Sequence, residues 1–141
     1  MSSFMYNGGK AALLKGDADL VNDSIKVALV TSSYAPDKDT DIHFQDISNE
    51  VTGSGYTAGG KALANGAVTQ DDANDRAVFN ADDLSWPAAT FTTRAGVIYK
   101  DSGNPATSPL IAYADFGDDF SLSGEDFTIE WHQDGILYLG D

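Results

Sequence analysis

Apolar and polar positions alternate along most of this chain, in short runs separated by turn-forming residues. The clearest run covers residues 24–31, where Ile25, Val27 and Leu29 fall on one face with period two, the pattern of a strand with a buried side. Phe127-Thr128-Ile129-Glu130-Trp131 alternates as cleanly, which predicts Phe127, Ile129 and Trp131 inward and Thr128 and Glu130 outward. Ala67-Val68-Thr69 and residues 76–79 read as two strands joined across Asp71-Asp72-Ala73-Asn74. Leu84 and Trp86 form a short apolar segment that is expected to stop at Pro87, because proline cannot donate to a strand ladder. Residues 91–100 predict a longer strand. It turns at Asp101-Ser102-Gly103-Asn104-Pro105 into a partner at 110–114. Ser123-Gly124-Glu125 breaks the chain again, and residues 136–139 add a last strand.

The N-terminus has a different rhythm. Ser2 and Ser3 are placed to cap a helix running to about Lys15, with Phe4, Met5, Ala11, Ala12, Leu13 and Leu14 as its apolar stripe. Gly8 and Gly9 weaken that helix by about 1 kcal/mol each, and Gly16 is a natural stop. Residues 42–47 read as a short extended or helical piece, and 53–60 as an irregular glycine-rich loop. Short strands between regular turn signals predict a mainly β fold, a sandwich or barrel-like domain with a short N-terminal helix. The expected layout is one domain over 1–141, with a helical segment at 1–16 and a β-rich body at 24–141.

The chain has 141 residues, enough to bury a real core in one domain. It has no cysteine, so disulfides, thiolate metal sites and cysteine nucleophiles are excluded. Its 22 acidic and 8 basic side chains give a net charge of −14. Such a chain repels phosphate backbones, so no nucleic-acid partner is expected. Lys100 is the last basic residue, and everything charged beyond it is acidic. That region reads as a solvated rim, or more sharply as a docking face for a basic surface. No apolar stretch approaches the roughly 20 residues of a membrane helix, and no signal-peptide pattern opens the chain. No membrane association is expected.

Candidate chemistry is thin. Gly55-Tyr56-Thr57-Ala58-Gly59-Gly60-Lys61-Ala62 imitates a phosphate-cradling loop, but Ala62 stands where a magnesium-holding Ser or Thr is needed. Gly53-Ser54-Gly55, with Ala58 after it, imitates a dinucleotide fingerprint and likewise lacks the flanking strand and helix. Asp37, Asp39 and Asp41 resemble the opening of a calcium loop, yet Ile42 and Ser48 occupy its glycine and glutamate positions. A solvated acidic loop is the simpler account. His132 with Asp134 and Ser121 or Ser123 makes a triad on paper only, because no nucleophile-elbow glycines surround either serine. His43 has no metal-ligand spacing to a second histidine. These readings predict no enzyme activity and no cofactor. A glycan-binding module remains open, through aromatics such as Tyr34, Tyr56, Trp86 or Tyr99, although apolar neighbours favour a core position for Trp86 and Tyr99.

A set of blocks spread over most of the chain resembles a family of small virion structural proteins of tailed bacteriophages. The blocks are Ala11-Ala12-Leu13-Leu14-Lys15-Gly16, the strand Ile25-Lys26-Val27-Ala28-Leu29-Val30 and Ser32-Ser33-Tyr34. They continue with Gly53-Ser54-Gly55-Tyr56-Thr57-Ala58-Gly59-Gly60 and Thr93-Arg94-Ala95-Gly96-Val97-Ile98-Tyr99-Lys100-Asp101. Asp115-Phe116-Gly117, Phe127-Thr128-Ile129-Glu130-Trp131 and Gly135-Ile136-Leu137 complete them. The resemblance implies a particle protein made in the bacterial cytoplasm and carried on the virion. A capsid decoration or cement protein fits first, and a tail or tail-tip component or a glycan-binding adsorption module comes next. It implies the major capsid protein as partner, and further copies of itself, in a homotrimer, as neighbours. Candidate contact residues are Phe4, Met5, Leu13 and Leu14 of the N-terminal segment and Tyr56 of the glycine-rich loop.

Overall fold

The computed structural model describes residues 3–140 and is built around one five-stranded antiparallel sheet. Its elements in chain order are β1 (Phe4–Met5), α1 (Asn7–Lys15), β2 (Ile25–Val30), β3 (Lys61–Ala62), β4 (Ala67–Asp71), β5 (Arg76–Asn80), β6 (Leu84–Ala89), β7 (Thr92–Lys100), β8 (Leu110–Ser121), β9 (Glu125–Ile129) and β10 (Leu137–Gly140). The central sheet runs β1-β8-β7-β2-β3, and two smaller sheets, β10-β5-β4 and β6-β9, accompany it. The expected mainly β fold with a short N-terminal helix is what the chain adopts.

The alternation in β2 places Ile25, Val27 and Leu29 in the larger core with Phe79, Trp86, Phe127 and Leu137 of the smaller sheets and Phe91 from the link between β6 and β7. The opposite face of β2 is buried as well. Ala28 and Val30 join Tyr6, Tyr34, Tyr99, Leu110 and Tyr113 in a second core, with Phe44 and Ile47 packed against it. A central strand covered on both faces is apolar over most of its length, here all but Lys26, so its period-two signal shows only part of its burial.

The N-terminal helix is shorter than the apolar stripe predicts. Ser2 lies outside the described residues. The Ser3 hydroxyl oxygen accepts the Asp115 N–H at 2.9 Å, and Phe4 and Met5 pair with Tyr113 and Ala112 as an edge strand. The helix starts only at Asn7, after Tyr6 in extended conformation with no side-chain cap. Tertiary contact overrides helix propensity here for a definite reason. A bulge in β8 leaves Ile111 without an opposite residue, since Ile98 pairs with Ala112 and Tyr99 with Leu110. The freed Ile111 carbonyl accepts the Tyr6 N–H at 3.0 Å. α1 then packs so closely on this bulge that a Cβ at Gly9 would sit 2.6 Å from the Leu110 carbonyl oxygen. Gly9, which weakens the helix in isolation, therefore permits its contact with the sheet, while Gly8 faces Ile42. Gly16 ends it, as expected.

Two other boundaries differ from expectation. β6 continues past Pro87, because the pairing with β9 slips there between Trp86 and Ala89. Asp126 takes the Ala88 N–H at 3.0 Å across the irregularity. Trp131 lies beyond the end of β9 and is only half-buried. Its indole N–H donates to the Asp82 carbonyl at 3.1 Å instead of entering the core.

Candidate functional site

The groups that suggested chemistry are engaged in structure. Asp37 accepts the N–H groups of Asp39 and Thr40, Asp39 accepts the Asn7 side-chain amide, and Asp41 accepts the Tyr34 hydroxyl at 2.7 Å and the Asp37 N–H at 3.0 Å. The three carboxylates thus organise their own loop. Among the described residues no three His, Cys, Asp or Glu side chains gather as a metal site. In the glycine-rich loop, Lys61 donates to the Ser85 carbonyl and its ammonium lies 5.5 Å from the centre of the Trp86 ring. No helix follows, because Lys61 and Ala62 form β3, so the phosphate-loop likeness has no structural counterpart. His132 is exposed, and its Nδ1 accepts the Asp134 N–H at 3.1 Å. Ser121 pairs instead with Thr92. His43 pairs with Asp46 around the single 3-10 turn at Phe44–Asp46.

Aromatic side chains named as glycan platforms face inward. Tyr34, Trp86 and Tyr99 are buried. Tyr56 is half-buried, accepts the Leu29 N–H at 3.0 Å and donates to Glu50, whose carboxylate also takes the Gly59 N–H at 2.7 Å. Tyr56 is a loop anchor and offers little to a partner. Phe4 stacks edge-on against Tyr6, 5.3 Å between ring centres, and Met5 packs against the larger core.

The buried phenols have a consequence at high pH. Burial pushes the hydroxyls of Tyr6, Tyr34, Tyr56 and Tyr99 well above the ordinary phenol value of 10.0. Hydrogen bonding to Tyr6 and Asp41 raises Tyr34 further, and that to Glu50 raises Tyr56. The folded state favours the protonated form, so this stabilisation is complete below about pH 10 and is lost as pH rises beyond it. In an alkaline titration, phenolate absorbance from these four rings should appear together with loss of near-ultraviolet dichroism. A gradual rise with the dichroism intact would show that the rings are open to solvent.

One surface stands apart. Of the large apolar side chains left exposed, Leu14 is 84% exposed, Tyr138 56%, Val68 52% and Leu139 50%. Val68, Tyr138 and Leu139 belong to the lining of a single groove between the end of α1 and the β10-β5-β4 sheet, and Leu13, the neighbour of Leu14 on α1, lines it too. Leu13, Ala18, Leu20, Val68, Ala77, Leu137 and Leu139 line it. Register explains why Val68 and Leu139 share this face, while Tyr138, in the row of Val78 and Thr69, falls on the other and lies against Arg76. Val68, Phe79 and Leu137 are directly opposed across the three strands, as are Gln70, Ala77 and Leu139 one step along, so these six share one face. The Phe79 and Leu137 end of that face is buried in the core, whereas Val68 and Leu139 project past it. Exposed apolar groups gathered on one face mark interaction sites.

Of the five residues named from sequence, Leu13 lines the groove and Leu14 is exposed next to it in sequence on α1, whereas Phe4, Met5 and Tyr56 are occupied elsewhere. Val68, Tyr138 and Leu139 were missed. An apolar residue at a strand position reads as core, and only the missing layer over this end of the sheet makes these three external. No family model, curated protein or solved structure matches the chain.

Proposed function

We propose that this chain is a non-enzymatic structural protein of a tailed-phage virion, a capsid decoration protein that bridges and stabilises shell subunits. The particle comes from the sequence resemblance. The mode of attachment comes from a single observation, the exposed Val68 and Leu139 on one face of the β10-β5-β4 sheet beside the apolar groove that Leu13 also lines. A shell under internal pressure gains from small rigid bodies that tie neighbouring subunits together. That work needs contact area and no reacting groups. A twice-covered central sheet supplies the rigidity, and the net charge of −14 keeps many free copies apart before assembly. The major capsid protein is the partner this reading assigns.

Immunogold labelling of intact purified virions tests it. Dense label over the head is expected. In reconstitution on stripped shells, replacing both Leu14 and Leu139 with Asp should lower occupancy by about tenfold or more while the free protein stays folded. Label confined to the tail would end the capsid reading and make the chain a tail component.

A further inference from the structure

The apolar groove has a second property that narrows its occupant. β4 forms one edge of the β10-β5-β4 sheet and pairs with β5, and among the described residues no strand pairs with its outer side. Natural edge strands guard themselves with lysine, proline, bulges or shortness. Other edges of this protein do so. β1 and β3 are two residues long, β6 carries Pro87 and an irregular register, and β9 opens on Glu125 and Asp126. β10, the opposite edge, lines a cleft with Ile129, Glu130 and Trp131. β4 reads Ala67-Val68-Thr69-Gln70-Asp71, regular in register, with no lysine and no proline. Its one charge, Asp71, is held by Arg76 at 2.9 Å and by Asn74 at 2.9 Å.

The charge around the groove has one sign. Asp19 lines it, and side-chain and backbone N–H groups of Asn22 hold that carboxylate below the usual range and therefore ionised. Lys15 at the end of α1 is paired with Asp17 at 3.3 Å, and Arg76 is paired as above. A second copy of this chain would bring another net charge of −14 against the Asp19 carboxylate. A cationic strand would be drawn to it.

We infer that the outer edge of β4, with the groove beside it, takes up an extended partner segment of alternating apolar and Lys or Arg residues as an added antiparallel strand. Main-chain pairing would supply affinity and alternate side chains specificity. Apolar side chains of the added strand would continue the Val68 face over the groove, next to Leu20. At about 3.4 Å per residue, the five residues of β4 engage a segment of about five or six. The inference rests on the reading that this face is the docking face, but not on the partner being a capsid.

The test uses the full chain, isotope-labelled, and a capped octapeptide of alternating valine and lysine. Two control peptides are the valine–glutamate analogue and the valine–lysine peptide N-methylated at every residue. Binding of the valine–lysine peptide is expected, with hydrogen-exchange protection of the Ala67–Asp71 amides rising by about tenfold or more. Methylation, the glutamate exchange, and the variants Thr69→Pro and Val68→Lys should each weaken binding by about tenfold or more. Val68→Lys keeps the test valid if Thr69→Pro fails to fold. Absence of binding, equal binding of either control peptide, or protection confined to other strands would overturn the inference. So would a concentration-dependent dimer in sedimentation that Val68→Lys abolishes, which would give the edge to a second copy. Because every readout is on the isolated protein, strand addition can hold while virion labelling fails, and the reverse, so the two ideas fall separately.

Discussion

Replacing Gly60 with alanine should leave little folded protein. A Cβ there would lie 1.9 Å from the Val27 carbonyl oxygen and 2.6 Å from its carbonyl carbon. Neither atom can move aside, because Val27 is fully buried in β2 and paired with Ile98 on one side and Lys61 on the other. Gly60 also has φ of +79°, where an L side chain is strained by about 1–2 kcal/mol before any clash. Together these effects should cost about 4 kcal/mol or more, a large part of the roughly 5–15 kcal/mol that holds an ordinary domain folded. Gly103→Ala is the control. Its φ is +91°, but a Cβ would meet nothing within 4 Å, so only the backbone strain of about 1–2 kcal/mol should appear. Urea unfolding of both variants measures the difference. Equal losses would show that the Gly53–Gly60 loop does not press on β2 as described.

Trp86→Ala is the second large effect expected, at about 3–5 kcal/mol. Trp86 is 1% exposed and sits opposite Phe127 in the β6–β9 pair, with ring centres 6.0 Å apart. Tyr56 stacks at 6.5 Å and the Lys61 ammonium lies over its ring. Truncation would open a cavity where these groups converge. Trp86→Phe should behave differently. The buried indole Nε1 has no hydrogen-bond partner among the described residues, a state that costs about 1–3 kcal/mol. Phenylalanine removes that donor while leaving a smaller gap, so the two terms oppose each other. The net change should stay within about 1.5 kcal/mol. A phenylalanine variant as unstable as the alanine one would mean that the indole N–H is satisfied in solution.

The strands were legible wherever one face met the core and the other met water. The β4–β5 hairpin, the turn after Lys100 and the inward Phe127 and Ile129 all followed from alternation and turn chemistry. What failed was long-range. Phe4 and Met5 fit a helical stripe locally, and only the bulge at Ile111 reveals that a strand forms there instead. Pro87 reads as a stop until Asp126 is seen catching the Ala88 N–H on the far side of a register slip. The proposed docking face was half visible. Leu13 and Leu14 stand out on a short helix, but Val68, Tyr138 and Leu139 look like any strand residues, because exposure depends on where the covering layer ends. The candidate cation loop was legible in composition but not in use. Its carboxylates answer backbone N–H groups and a tyrosine, and such turn-forming roles follow from contacts between residues, not from their spacing.

The unlike surroundings of the two tryptophans give the protein an internal optical reporter. Trp86 is enclosed by aromatic rings, so its emission should lie toward the blue and be deaf to soluble quenchers. Trp131 is half open and shares the cleft along β10 with Leu137 and Tyr138. Its emission should be redder and quenchable, and anything settling along that edge would shield it. A ligand settling along β10 could then be told from one at the β4 edge by light alone, on the unmodified chain, since only the first would remove the quenchable component.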